Sequence, residues 1–354
     1  CGGRAAALLP TAAAWPPHST IVIDAITAVA AIGYARYATI APAAEADFIT
    51  MWGLKAKQFA LARGIDWAFL QNPFNQFAHT DYPPLVTLLY DAQALLLGGW
   101  PDRWIGVVNA GFGVATLLML RWFLAEETET RWVRALATLA FIAYAFSPWL
   151  GLAEGPLVAY GTVGLLFIRR GDVARGAVYL GLAANCKNEG LTLIAAAAAG
   201  LVAAGAWRSV VRLWPAAAIA APWVVARSLH GLHGDLLTPG AGARVAAHVH
   251  DVAPMLSALL HNGPGRPLLW SGIALALVVA APRIAARERF LAVAIVVQLA
   301  FFLGAYLVTP HDVTWHVRWS WERLVAQLGA AAVFLAMAGV LPLIEATVRP
   351  RPAG

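Results

Sequence analysis

The sequence predicts an all-α integral membrane protein of about ten transmembrane helices, with interfacial helices in a long first external loop. Three observations predict it. First, 60% of the 354 residues are hydrophobic and only 12% are charged, with a mean hydropathy of +0.67, whereas a soluble domain carries about 25% charged residues. Second, apolar runs near the length of about 20 residues that a crossing helix needs recur along the chain. Third, the arginines gather in alternate loops, as expected where one side of a membrane retains positive charge. The chain reads as one polytopic domain, 1–354, with no separate soluble domain and no internal repeat.

The runs, in order, are 20–42, 103–123, 132–151, 154–169, 174–187, 190–206, 209–227, 267–282, 290–309 and 324–345. Those at 154–169 and 174–187 are short, as happens where helices break beside a polar cavity. The run 83–99 carries Asp91 and Gln93 in its middle. If it lies along the surface, one set of loops holds Arg4, Arg121, Arg131, Arg134, Arg169, Arg170, Arg175, Arg208, Arg212, Arg283, Arg287, Arg289, Arg349 and Arg351. If it crosses, those arginines face outward. The positive-inside rule selects the first topology, with both termini cytoplasmic and 83–99 as an interfacial helix.

That topology places 43–102 and 228–266 outside, with shorter external segments at 152–154, 187–189 and 310–323. All three lysines (Lys55, Lys57, Lys187) fall there, as do all histidines but His18. Ionisable groups at a membrane face are costly unless paired or hydrated, so these are the functional candidates. The composition excludes an ordinary cytosolic enzyme and a disordered chain. The net charge of +6 reflects membrane sidedness, so no nucleic-acid partner is expected. Cys1 and Cys186 lie in unlike contexts, which argues against a disulfide framework. Cys1 in place of Met suggests a partial or processed chain, with a lipid-anchored cysteine as an alternative.

Four stretches carry a further signal. Glu45-Ala46-Asp47-Phe48 and Trp52-Gly53-Leu54-Lys55-Ala56-Lys57 are followed by His79-Thr80-Asp81-Tyr82-Pro83-Pro84-Leu85. Then come Ala153-Glu154-Gly155-Pro156-Leu157, Leu182 to Gly190 around Asn185-Cys186-Lys187-Asn188-Glu189, and Trp315-His316 through Glu322-Arg323-Leu324 and Gln327. Together these resemble the GT-C class of integral-membrane glycosyltransferases, in particular the bacterial dolichyl-phosphate-mannose-protein mannosyltransferase-like and aminoarabinose-transferase-like family. The resemblance covers roughly 20–330. It departs in one place, since many members carry two adjacent acids where Ala46 separates Glu45 from Asp47, leaving open which acid acts. Nine residues follow the last run, so acceptor recognition is expected from the loops.

The resemblance implies transfer of a sugar, with inversion, from a polyprenyl-phosphate donor to a lipid, glycan or protein acceptor outside the inner membrane. It assigns Asp47 as general base and Asp81 to acceptor positioning or a divalent metal. Lys187 would meet the lipid phosphate, with Lys55 and Arg323 as further cations. Glu154, Glu189 and His79 would line the substrate site. In the loop 228–266, His230 and His233 at His-x-x-His spacing admit a divalent metal with Asp81, although the loop also reads simply as a cover over the site. Plainer readings stand beside these. Asp47 could cap the helix at 48–62, and Lys57 could snorkel to lipid headgroups. Tyr82-Pro83-Pro84 could be a stiff entry, Glu154 could pair with an Arg, and Lys187 could be a helix-end cation. The alternative function is a transporter or flippase of a lipid-linked or anionic substrate, for which pseudo-symmetric halves and midplane charges would be expected.

Overall fold

The computed structural model describes residues 21–128, 131–234, 236 and 240–348. Cys1, Arg4, His18, Asp235, Arg349 and Arg351 lie outside the described residues. Within them the chain is helical throughout, without strands. In order, α1 is Ile21–Ile40, followed by a π-helical turn Phe48–Trp52, α2 Gly53–Ala62, α3 Trp67–Gln71 and α4 Leu85–Leu97. Then come α5 Gly106–Glu127, α6 Arg131–Ala145, α7 Glu154–Arg169, α8 Val173–Cys186, α9 Glu189–Ala203 and α10 Trp214–Leu229. The series closes with α11 Ala241–His248, α12 Val252–Asn262, α13 Pro267–Val279, α14 Ala281–Arg287, α15 Arg289–Val308 and α16 Val313–Val348.

Among the described residues, four helical stretches are long and apolar enough to cross a bilayer: Gly106–Glu127, Trp207–Leu229, Arg289–Val308 and Val313–Ile344. A fifth forms if the bent pair α13 and α14 counts as one span, its halves meeting at 75°. Pro282 sits in the first turn after that bend, where the ring tolerates a helix start but not a helix interior. A bilayer is the environment these helices fit. Each expected run contains helix, although that of 132–151 leaves it after Ala145, and α7, α8 and α9 hold 14 to 16 residues. At 1.5 Å per residue they fall short of a full crossing.

Burial separates centre from periphery. In α16, 89% of the most apolar window is buried, against 28% in the stretch Trp207–Leu229 and in α15. It packs on α6, α7, α12, α13 and α15 and threads the middle of the bundle. The periphery shows a one-sided pattern instead. On α1, Val22, Ile26, Val29 and Ile32 are exposed while Tyr34 and Ala38 are buried, which suits a helix with one face to lipid. Helices α7 and α8 meet closely because Gly164 and Gly176 face each other. A Cβ on Gly176 would sit 2.6 Å from the Gly164 carbonyl, the small-residue contact typical of membrane helix pairs.

Two boundaries differ from the sequence reading. The stretch 310–323 is not a free loop, because α16 begins at Val313, eleven residues ahead of the apolar run. Its first turns, with three Trp and two Arg between Val313 and Arg323, are helical but not apolar, so hydropathy missed them. The loop 228–266 likewise contains α11 and α12. Helix α4 has 13 residues and ends at Gly98, in the left-handed region. It is too short to span, and Leu95, Leu96 and Leu97 are exposed at its end.

Candidate active site

The site begins where α1 hands over to the first loop. Asp47 precedes the π-helical turn, a geometry often found at functional positions. The Phe48 ring anchors this turn, occupying the space where a Cβ on Gly53 or Gly151 would sit. Gly151 has φ +84°, a conformation that glycine adopts without strain. Since Gly151 lies three residues before Glu154, one aromatic ring ties the Asp47 turn to the start of α7.

Asp47 does not cap that turn: its side chain makes no capping bond. Its Oδ2 instead accepts from Nη1 of Arg323 on α16, at 2.5 Å. The same Nη1 lies 3.9 Å from Oε1 of Glu154. Lys187 Nζ stands 3.2 Å from that Glu154 oxygen and 2.8 Å from Oε1 of Glu189. An ionic chain therefore runs Asp47–Arg323–Glu154–Lys187–Glu189. Its inner member, Glu154, has a side chain 3% exposed, and its outer member, Asp47, 34%. The acid assigned as base is the one solvent can reach.

Local structure explains the convergence. Glu154 and Glu189 each occupy the first turn of a helix, where the helix dipole favours negative charge. Lys187 ends α8 in an extended conformation, so it turns from one helix end toward two others. Lys187 is thus a helix-end cation that two carboxylates engage. Glu154 is paired through Oε1 alone; its Oε2 is buried without a partner.

Asp81 joins from a second side. Its Oδ2 accepts from Asn188 Nδ2 at 2.9 Å, and its carbonyl accepts from Trp223 Nε1 at 3.0 Å. Asn188 Oδ1 accepts in turn from Arg227 at 3.3 Å. The 228–266 segment comes close here, since a Cβ on Gly234 would fall 2.5 Å from Asp81 Oδ2. Lys55 is buried, donates to the His79 carbonyl at 2.8 Å, and lies 5.0 Å from the Trp52 ring centroid and 5.8 Å from that of Tyr82. Burial pushes its ammonium down to about 7, against the upward pull of the Asp81 charge. His79 takes a left-handed backbone, φ +44°, with its ring 4.9 Å from Tyr82. Burial, and then the Glu189 carboxylate, raise the Tyr82 phenol well above its ordinary range. Glu189, Lys187, Asp81 and Asp47 all act on it, so Tyr82 sits between the ionic chain and the Asp81 branch.

The metal set does not assemble. Among the described residues no three His, Cys, Asp or Glu side chains could hold a metal ion. The His230 ring is stacked 3.7 Å from Trp67, His233 is exposed, and neither forms a three-ligand group with Asp81. Lys57 is exposed, its ammonium 6.0 Å from the Trp100 ring centroid. Sequence reasoning passed over Tyr82, read as a structural turn, and gave Asn188 no role although it stands between Lys187 and Glu189. Nothing in the sequence marks Trp223 or Arg227, whose place comes only from how α10 packs. No known family model, curated protein or solved structure matches the chain.

Proposed function

We propose that the protein is an inner-membrane glycosyltransferase that moves a sugar from a polyprenyl-phosphate donor to an extracytoplasmic acceptor with inversion. The observation that carries this reading is the ionic chain itself. It unites residues from four stretches picked for chemistry, including a pair 276 positions apart. Ten membrane-embedded helices, with α7, α8 and α9 the short ones among them, cytoplasmic termini and an external site belong to the same proposal, supported by the arginine distribution.

In this reading the acceptor hydroxyl approaches the exposed rim at Asp47. Its oxygen attacks the anomeric carbon while the bond from that carbon to the phosphate oxygen breaks, the electron pair leaving with the phosphate. The hydroxyl proton passes to the Asp47 carboxylate. Lys187 and Arg323 offset the charge gained by the departing phosphate. Arrival of that phosphate draws Arg323 from Asp47, which frees the carboxylate as a base when donor is present. Glu154 and Glu189 hold the cations in place until then.

Transfer or hydrolysis of a panel of radiolabelled polyprenyl-phosphate sugars, by the protein in lipid nanodiscs, tests the proposal. Asp47→Asn should lower turnover about 10²- to 10⁴-fold, the usual contribution of a general base, while donor binding persists. Donor binding without turnover, unchanged in Asp47→Asn and Lys187→Ala, would overturn it in favour of a transporter or flippase.

A further inference from the structure

A second surface lies at the far end of α9 from the site. Glu189 opens that helix, and its last residue, Ala203, lies about 20 Å further along the axis. There Gly205, at φ +77°, turns the chain into a 3-10 helix, Trp207–Leu213, that runs on into α10. Leu213 is buried, whereas Trp207, Val211 and Trp214 are 62%, 74% and 68% exposed. They stand at the head of a stretch long and apolar enough to cross a bilayer. Tryptophan is enriched where such a stretch meets the headgroups.

Charge sets this corner apart. Arg208 and Arg212 are exposed among those apolar side chains, and from Gly190 to Gly234 the sequence contains no Asp or Glu. Other arginines of the same set of loops meet acids: Arg121 pairs with Asp24, Arg169 with Glu127 and Glu288, Arg170 with Glu126 at 3.0 Å, and Arg175 with Asp172 at 3.3 Å. Among the described residues no carboxylate pairs with Arg208 or Arg212. The Arg208 guanidinium instead lies 5.1 Å from the Trp207 ring centroid, a cation–π contact that restrains the side chain without using its N–H donors. A third guanidinium, Arg289 of α15, reaches the end of α9, its Nη1 3.5 Å from the Ala203 carbonyl.

We propose that Arg208 and Arg212 bind the phosphate of an anionic phospholipid in the adjoining leaflet, with Trp207, Val211 and Trp214 against its hydrocarbon. Guanidinium forks match phosphate oxygens in pairs, and a corner without acids attracts a net negative headgroup more than a zwitterionic one, which brings its own cation. The exposed apolar side chains decide for a lipid over a soluble anion, since they gain nothing from an anion without acyl chains. In the topology proposed above this is the cytoplasmic leaflet, where anionic lipids draw basic clusters at helix ends. Binding here involves none of the ionic chain at Glu154 and does not depend on the transferase reading.

Native mass spectrometry of the full chain in detergent tests it, by titration with palmitoyl-oleoyl phosphatidylglycerol or with the phosphatidylcholine of the same acyl chains. Wild type should hold phosphatidylglycerol about tenfold or more tightly than phosphatidylcholine. Arg208→Gln and Arg212→Gln should each weaken phosphatidylglycerol binding about fivefold, and the double variant about 25-fold, with phosphatidylcholine unaffected. Arg287→Gln removes another exposed arginine, on α14, and should leave both affinities unchanged. Equal affinity of wild type for the two lipids, or no loss in the double variant, overturns the proposal. So does an equal loss in Arg287→Gln, which would assign the preference to charge spread over the whole face. A lipid-independent dimer that Trp207→Leu and Trp214→Leu dissociate would overturn it too, with a second copy of the chain as the occupant.

Discussion

Helix α7 carries a charged network at each end, and the two are built differently. At its last turn, Arg169 gives both faces of its fork to carboxylates. It bonds Glu127 at 2.5 and 2.9 Å and Glu288 at 2.6 Å twice, with Phe334 packed 5.1 Å from the guanidinium. No atom of these three side chains is among the buried atoms left unpaired. At the first turn, the Glu154 network is longer and looser. One link stretches to 3.9 Å, Glu154 Oε2 has no partner, and the outer end opens to solvent at Asp47. A saturated network rigidifies a fold, whereas an unsaturated one costs stability and leaves atoms for something else to bind. The contrast separates a clamp from a site within one helix.

Removing the clamp's cation gives the largest expected effect. Arg169→Met leaves Glu127 and Glu288 facing each other without a counter-charge, and should cost about 3 kcal/mol, as for other broken buried pairs. Unfolding in detergent measures it; a loss below about 1 kcal/mol would erase the distinction between the two ends. Glu154→Gln should cost only about 1 kcal/mol in the same assay, because Lys187 keeps Glu189 and the amide still fills the space. Should Glu154→Gln destabilise as much as Arg169→Met, the first-turn network would be a clamp as well.

A third test uses pH. Burial lowers the Lys55 ammonium to about 7 in the folded chain, against about 10.4 when unfolded. Between those values the unfolded chain binds the proton and the folded chain does not, so stability falls as pH drops from about 10 to about 7 and levels off below. The slope reaches at most about 1.4 kcal/mol per pH unit. Lys55→Met should flatten that slope. An unchanged profile would show that Lys55 stays charged when folded, closer to the phosphate-binding cation first assigned to it.

Much of the site was legible in the sequence. Asp47, Glu154, Lys187, Glu189 and Arg323 stand out because charges are scarce in so apolar a chain, and membrane burial makes each one costly enough to need a purpose. Lys55 stood out for the same reason, but its bond to the His79 carbonyl depends on a loop path that spacing does not encode. His230 was misread because His-x-x-His describes distance along the chain, while the ring's partner, Trp67, comes from a separate loop. The start of α16 was missed because hydropathy registers apolar content, and the turns from Val313 to Arg323 are helical without being apolar.

The sequence by itself determined that the chain is helical and suited to a bilayer, where each apolar run lies, and which few charges require explanation. These follow from composition and local order, since transfer of an apolar helix to lipid sums over its own residues. Only the tertiary structure decided which charges meet, which helices stop short of a crossing, and which polar atoms stay unpaired beside Glu154. Those outcomes depend on how distant helices pack, where a shift of one turn, about 5.4 Å, breaks an ion pair that no neighbouring residue could signal.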